Sequence, residues 1–125
     1  MTKVIVVDDD PTNVTLTKML LELDGFTVVA CTNLEQTITA AQSGADAYVV
    51  DVNLARGENG LDFLTAVRAG ETPAPKDVTI IITSGDNRRK RDAKDAGANK
   101  FLLKPYPPND LSTIITQLIA GEQNG

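Results

Sequence analysis

The stretch VVDDDP, residues 6–11, joins an apolar run to three consecutive aspartates and a proline. The run begins at Val4 and is rich in β-branched side chains, which is typical of a strand buried on both faces. Asp8, Asp9 and Asp10 follow directly. At an effective dielectric constant of about 20, two such charges about 4 Å apart repel by up to about 4 kcal/mol. Either the carboxylates spread into water or a cation lies among them.

The composition favours one soluble domain, which we predict to span residues 1–125. The single cysteine, Cys31, has no partner for an internal disulfide, which favours a reducing compartment. No run approaches the roughly 20 apolar residues of a membrane span, and residues 1–3 lead straight into a strand rather than a secretory signal. We therefore expect a cytoplasmic protein with no membrane partner. The formal net charge of −5 argues against direct binding of nucleic acid.

The absence of histidine excludes several classes of chemistry. No Ser-His or Cys-His nucleophile pair can form, and one cysteine without histidine cannot build a zinc site. A metal in this protein must therefore be a hard cation held by oxygen atoms, such as magnesium or calcium.

Short apolar strands alternate with segments of helical periodicity. The predicted strands cover residues 4–8, 26–30, 45–51, 78–83 and 100–103. Between them, apolar side chains recur at helical spacing in four stripes: Leu16, Met19, Leu20 and Leu23; Leu34, Ile38 and Ala41; Leu61, Leu64 and Val67; Leu111, Ile114, Ile115, Leu118 and Ile119. Residues 87–97 are mostly charged and, as a helix, would have only Ala93 and Ala96 to bury.

This alternation predicts an α/β fold with one doubly wound, five-stranded parallel sheet in the order 2-1-3-4-5 and helices on both faces. Asp10 before Pro11 is typical of an N-cap followed by the first helical residue, so the third aspartate is assigned to a helix. Ligands of such sheets bind outside the carboxyl ends of the strands, near the switch point between the first and third strands.

Polar side chains follow four of the predicted strands. The first strand ends in Asp8 and Asp9, the third in Asp51, the fourth in Thr83 and Ser84, and the fifth in Lys104. We expect three carboxylates, a hydroxyl and an ammonium to meet at one edge. Taken singly, each of these residues has an ordinary structural explanation, such as a solvated turn for Asp8 and Asp9.

The motifs VVDDDP, VVDVN, IITSG and FLLKP, in this order and spacing, resemble those of a response-regulator receiver domain of two-component signalling. The resemblance covers essentially the whole chain. It implies that Asp51 is the phosphoacceptor, which attacks a phosphohistidine of a partner histidine kinase or phosphotransfer protein. It also implies a magnesium site formed by Asp8, Asp9, Asp51 and the backbone carbonyl of Asn53.

The same resemblance assigns the remaining site residues. Lys104 and the hydroxyl of Thr83 would bind phosphoryl oxygens, and Ser84 would add its backbone N–H. Phe101 matches the family's switch aromatic, which would fill the space that Thr83 leaves on phosphorylation. The output face would comprise the fourth helix, the fifth strand and the fifth helix. The resemblance implies a switch that assists its own phosphorylation and dephosphorylation, and not a multiple-turnover enzyme.

The sequence does not identify the downstream element that this domain would control. It carries no recognisable effector domain, so the downstream element is a separate protein partner or a lost effector domain, and a homodimer that forms on phosphorylation is a further option. The basic run at residues 88–91 is either a solvated face or a docking site on the output face. The loop after Asp51 departs from the family, because Ala55 replaces a common proline and the loop is one residue longer.

Three other functions remain as alternatives. A phosphatase-like hydrolase would use Asp51 as nucleophile, but the usual acid two residues later is here Asn53. An FMN carrier shares the predicted architecture, but the aspartates after the first strand would repel its phosphate. An interaction module that is never phosphorylated would leave the grouping of acids, hydroxyl and lysine unexplained.

Overall fold

A five-stranded parallel sheet forms the centre of the molecule, which a computed structural model describes for residues 2–121. Its strands are β1 Lys3–Val7, β2 Thr27–Cys31, β3 Ala47–Asp51, β4 Thr79–Ser84 and β5 Lys100–Leu103. Their order, β2-β1-β3-β4-β5, confirms the prediction. The predicted domain also includes position 1 and positions 122–125, which lie outside the described residues.

The strands lie close to their predicted positions, and polar side chains account for some of the differences. β3 begins at Ala47 rather than at residue 45. The carboxylate of Asp46 accepts a hydrogen bond from the N–H of Lys3 at 2.8 Å, and its own N–H donates to the Lys3 carbonyl at 2.8 Å. The Asp46 side chain thus occupies the N–H of Lys3, which would otherwise be free to pair with the backbone of the neighbouring strand. Regular pairing of β3 therefore begins after Asp46, at Ala47.

Five α-helices connect or follow the strands. They are α1 Pro11–Leu23, α2 Leu34–Ala41, α3 Gly60–Arg68, α4 Arg89–Ala96 and α5 Pro108–Ile119. The predicted cap of α1 is confirmed, because Oδ1 of Asp10 accepts hydrogen bonds from Thr12 N at 2.9 Å and Asn13 N at 3.4 Å. Within residues 2–121, none of the helices has the length and apolar character that crossing a membrane requires.

Side chains of successive strand residues point to opposite faces of the sheet and enter two separate cores. Ile5 and Val7 of β1 pack in the core that α2, α3 and α4 cover. Val4 and Val6 pack in the core that α1 and α5 cover. Both faces of the central strands are therefore buried, which explains their nearly continuous apolar sequences.

The apolar stripe of α1 formed by Leu16, Met19, Leu20 and Leu23 is not the buried face of the helix. Leu16, Met19 and Leu23 are 53%, 57% and 82% exposed, whereas Val14 and Leu21 are buried against the sheet. At 3.6 residues per turn, Leu21 lies about 140° around the helix axis from Leu16. α1 therefore has apolar side chains on two sides, and the side with more leucines faces solvent.

Helix α4 is anchored mainly at its C-terminal end. Of its described residues, Ala93 alone is buried, as the charged sequence predicts. The N-terminal turn carries three cations, which the helix dipole disfavours. At the other end, Gly97 has a φ of 102°, and its carbonyl accepts a hydrogen bond from Nε of Arg68 at 2.9 Å.

Candidate functional site

Four polar side chains lie at the end of the sheet, on the same face as the apolar residues that α1 and α5 cover. Asp8 follows Val4 and Val6 at the same alternation, and Asp51 follows Ala47 and Val49. Asp51 is paired in register with Thr83 on the neighbouring strand. Strand alternation therefore brings Asp8, Asp51, Thr83 and Lys104 to the same side of one sheet edge.

The carboxylates of Asp8, Asp9 and Asp51 form a tight cluster. One oxygen atom of each lies within 4.8 Å of the other two. Asp8 and Asp51 are buried and Asp9 is exposed. The strand-end prediction is confirmed for these three residues, and the charges do not spread fully into water. Asp10 is turned away to cap α1, as predicted.

Lys104 lies between two of these carboxylates. Its Nζ is 3.1 Å from Oδ2 of Asp8 and 3.2 Å from Oδ2 of Asp51. Burial alone would lower the pKa of Lys104, but the carboxylates of Asp51 and Asp8 outweigh it and raise that pKa. Three carboxylates beside one ammonium leave two formal negative charges without compensation.

The surroundings of Asp51 disfavour its ionised form. Burial raises the pKa of the Asp51 carboxyl above its ordinary value; Lys104 partly opposes this shift, and Asp8 and Asp9 add to it. The carboxylate is therefore poorly solvated and close to other anions. A divalent cation at this edge would relieve both effects.

Backbone hydrogen bonds fix the chain around Asp51. The N–H of Val52 donates to the Thr83 carbonyl at 2.9 Å, and the N–H of Gly60 donates to the Val52 carbonyl at 2.8 Å. A Cβ at Gly60 would lie 2.2 Å from the Asp51 carbonyl oxygen. Only glycine lets α3 begin this close to Asp51, so position 60 helps to place the Asp51 carboxylate.

The predicted hydroxyl residues lie at the end of β4. Thr83 is buried and lines the same cavity as Asp8 and Lys104. Ser84 is buried too, and its Oγ accepts a hydrogen bond from Asp86 N at 3.0 Å, which shapes the loop toward α4. The Ser84 carbonyl accepts from the N–H of Lys104 at 2.8 Å and links the two strand ends.

Two other predicted residues lie beside the cluster. Asn53 is exposed and pairs with Asn59 through an isolated antiparallel bridge. Phe101 is half-buried and packs against the core under α4. Phe101 therefore points to the opposite face of the sheet from Asp51 and Lys104.

Two residues near the site were not predicted from the sequence. Tyr106 lines a cavity of about 470 Å³ between α1 and the β5–α5 loop, beside Lys104 and Asp8. Burial raises the pKa of Tyr106, so its hydroxyl stays neutral. Glu58 accepts a hydrogen bond from Leu34 N at 3.1 Å. The position of Tyr106, two residues after Lys104, could have identified it, but no sequence signal links Glu58 to α2.

A parallel sheet with this strand order and an acidic cluster beside a lysine defines the class of CheY-like α/β signalling domains. The family model of the response regulator receiver domain matches residues 4–116. The chain belongs to this family, so it is a receiver domain of two-component signalling and a phosphoacceptor switch.

Known proteins share both the sequence and the fold. The transcriptional regulatory protein CpxR of Escherichia coli K12 is 30% identical over 120 residues, which are 95% of this chain and 50% of CpxR. The chain thus spans about half the length of this curated relative. A receiver domain from Clostridium thermocellum superimposes with a TM-score of 0.86 at 25% identity and covers 98% of both chains.

A third related protein carries a metal. The receiver domain of a sensor histidine kinase from Pseudomonas aeruginosa PAO1, described with a magnesium ion coordinated in its active-site cleft, superimposes with a TM-score of 0.81 at 24% identity. It covers 95% of this chain and 98% of that domain. At this identity the similarity concerns the fold.

Proposed function

We propose that Asp51 accepts a phosphoryl group from a phosphohistidine of a partner histidine kinase or phosphotransfer protein. The grouping of Asp8, Asp9 and Asp51 within 4.8 Å, beside Lys104, carries this proposal. In the transfer, a carboxylate oxygen of Asp51 bonds to phosphorus while the bond from phosphorus to the imidazole nitrogen breaks. The nitrogen keeps the electron pair. Because the chain contains no histidine, the imidazole must belong to the partner.

The donor set fits Mg²⁺, which prefers oxygen ligands that include one or two carboxylates and the substrate phosphate. Asp8, Asp9, one oxygen of Asp51 and the carbonyl of Asn53 would hold the ion. When bound, Mg²⁺ supplies the positive charge that allows a carboxylate to approach a phosphoryl group. Two uncompensated negative charges at the cluster support a divalent rather than a monovalent occupant.

Lys104 and Thr83 would receive the phosphoryl oxygens. The ammonium of Lys104 already lies 3.2 Å from Asp51, so a short side-chain movement brings it from the carboxylate to the new phosphoryl group. Thr83 is the in-register neighbour of Asp51 and supplies the hydroxyl, and Ser84 supplies its backbone N–H. We place the resulting switch at Thr83 and Phe101, which would change the face formed by α4, β5 and α5.

The phosphodonor would dock on α1. Leu16, Met19 and Leu23 form an exposed apolar stripe, and Leu16 also lines the cavity that reaches Asp8 and Lys104. A helix of the donor on this stripe would bring its histidine to the cluster. Met19→Glu should slow transfer from a phosphorylated kinase while phosphorylation by acetyl phosphate stays unchanged. Ile119→Glu alters an exposed apolar residue at the last position of α5 and serves as the matched control.

The receiver domain would comprise residues 1–125 and act through a downstream protein or an effector domain of a longer protein. CpxR, of which the matched region is 50%, illustrates the second arrangement. Phosphorylation-dependent pairing of two copies is a further route to output.

The direct test is incubation with acetyl phosphate and Mg²⁺, followed by intact-mass spectrometry. We expect the wild type to gain one phosphoryl group, and Asp51→Asn to gain none. Chelation of the metal should abolish the gain. A wild-type protein that binds Mg²⁺ but takes up no phosphoryl group from acetyl phosphate or a histidine kinase would refute the proposal.

A further inference from the structure

The loop between Asp51 and α3 holds a strained turn. It forms a 3₁₀ turn at Ala55–Gly57, in which Arg56 has a φ of 62°. For a residue with a side chain, this left-handed conformation costs of the order of 1 kcal/mol and persists where the surroundings hold it. The turn closes through two backbone bonds, Leu54 N to the Glu58 carbonyl at 3.0 Å and Glu58 N to the Ala55 carbonyl at 3.2 Å.

The side chain of Glu58 ties this turn to another element. Its Oε1 accepts a hydrogen bond at 3.1 Å from the N–H of Leu34, the first residue of α2. The N-cap Asn33 accepts instead from Gln36 N at 2.8 Å, so the two acceptors do not compete. The first N–H groups of a helix have no partner within the helix, and a carboxylate is favoured there by the helix dipole.

We propose that Glu58 is a positioning residue for the metal ligand Asn53. Asn53 follows Val52, whose N–H and carbonyl are both bonded, and precedes Leu54, which is bonded to Glu58. The carbonyl of Asn53 is thus held on one side by the sheet and on the other by the turn. Glu58 fixes the turn to α2 in a loop that lacks a proline to stiffen it. This inference rests on the proposed function, in which Asn53 ligates Mg²⁺.

The test compares Mg²⁺ affinity, measured by calorimetric titration, in three variants and the wild type. Glu58→Ala removes the acceptor and should weaken Mg²⁺ binding about tenfold, the lower end of the usual effect of residues that orient metal ligands. Glu58→Gln keeps an acceptor oxygen without the charge and should bind within about twofold of the wild type. Asn33→Ala removes the other cap of α2 and should leave Mg²⁺ affinity unchanged.

A second readout needs no metal. Amide hydrogen exchange at Leu34 and in the 54–58 turn should quicken in metal-free Glu58→Ala and stay slow in Glu58→Gln. In Asn33→Ala, exchange should quicken at Gln36 while the turn stays protected. These measurements show whether the tether exists independently of any metal.

Each alternative outcome has a separate meaning. If Glu58→Gln loses as much Mg²⁺ affinity as Glu58→Ala, the effect is one of charge and the positioning role is wrong. If Asn33→Ala loses as much, the effect comes from α2 stability, and the positioning role is again wrong. Unchanged affinity in Glu58→Ala, in a protein whose wild type binds Mg²⁺, also overturns it. If the wild type binds no Mg²⁺, the proposed function fails first, and the exchange data still test the tether.

Discussion

The ammonium of Lys104 lies 3.2 Å from Oδ2 of Asp51, although the two residues are 53 positions apart in sequence. They belong to the ends of β5 and β3, and β4 lies between those strands. Lys104 therefore reaches across the edge of the sheet and occupies part of the space in which a cation and a phosphoryl group would have to fit. Lys104 neutralises only part of the negative charge of Asp8, Asp9 and Asp51. A cation or a phosphoryl group that binds here would therefore change the net charge at this edge.

Removal of the Lys104 charge should strengthen Mg²⁺ binding and weaken phosphorylation. In Lys104→Met the three carboxylates face a cation without a competing ammonium, so we expect the Mg²⁺ dissociation constant to fall by about tenfold, which is about 1.4 kcal/mol. The rate of phosphorylation by acetyl phosphate should fall, because a ligand of the phosphoryl oxygens is lost. Calorimetry and mass spectrometry measure the two effects, and weaker Mg²⁺ binding in this variant would contradict the electrostatic argument.

Asp51→Asn should stabilise the metal-free protein at neutral pH. Burial raises the pKa of Asp51, so the folded state binds this proton more tightly than the unfolded state, and ionisation destabilises the fold. This cost is absent below the ordinary aspartate range and is complete above the raised pKa. Lys104 keeps Asp8 as a partner in the variant. We expect a melting temperature several degrees above the wild type at neutral pH, and equal values in acid. A lower melting temperature at neutral pH would contradict this account.

Arg68 should be a major source of stability far from the site. Its guanidinium donates to the carbonyls of Lys76 and Val78 at 2.8 Å, and to Gly97 O and Asn99 Oδ1 at 2.9 Å. Burial lowers the pKa of Arg68, partly offset by Asp77.

Arg68→Ala removes the guanidinium donor from all four oxygens, of which Asn99 Oδ1 still accepts from the N–H of Ile80 at 2.8 Å, and should cost about 2 kcal/mol in urea unfolding. Arg68→Lys should recover less than half, because one ammonium cannot reach four acceptors in different directions. Mg²⁺ affinity should not change, since the hydrogen bonds of Arg68 lie at the edge of the sheet opposite to the three carboxylates. A loss below about 0.5 kcal/mol in Arg68→Ala would show that the network is solvated and contributes little.

Tyr48→Phe should not destabilise the protein. Within residues 2–121, the Tyr48 hydroxyl is buried and makes no hydrogen bond, and its ring packs against Phe63 with centroids 5.6 Å apart. Phenylalanine keeps the ring and removes the unpaired group, so the free energy of unfolding should stay equal or rise by about 1 kcal/mol. Urea denaturation measures the change. A loss of about 1 kcal/mol or more would reveal a partner, such as a buried water molecule.

The sequence predicts the sheet and the acidic cluster because each depends on short patterns. Continuous β-branched runs mark the buried strands, and parallel strands bring the residues that follow them, Asp8, Asp51 and Lys104, to one edge. The face of α1 could not be predicted in the same way. Val14 and Leu21 are also spaced seven residues apart, and helical spacing alone does not say which of two apolar sides meets the sheet.

The loop after Asp51 shows a second limit. Asn59 and Gly60 predict a turn, and the structure has Asn59 as the N-cap of α3. The bond between Glu58 and Leu34 joins half-buried residues 24 positions apart in sequence, and no periodicity or motif predicts such a pair. Contacts of this kind become visible only when the fold has placed the two elements side by side.

The most direct measurement is to identify the residue that carries the phosphoryl group. The protein is treated with acetyl phosphate and Mg²⁺ and then reduced with borohydride, which converts an acyl phosphate of aspartate to homoserine, and its peptides are sequenced by mass spectrometry. We predict homoserine at position 51 alone, and none when Mg²⁺ is chelated. Homoserine at another aspartate, or none in the presence of bound Mg²⁺, would contradict the assignment of Asp51 as the phosphoacceptor.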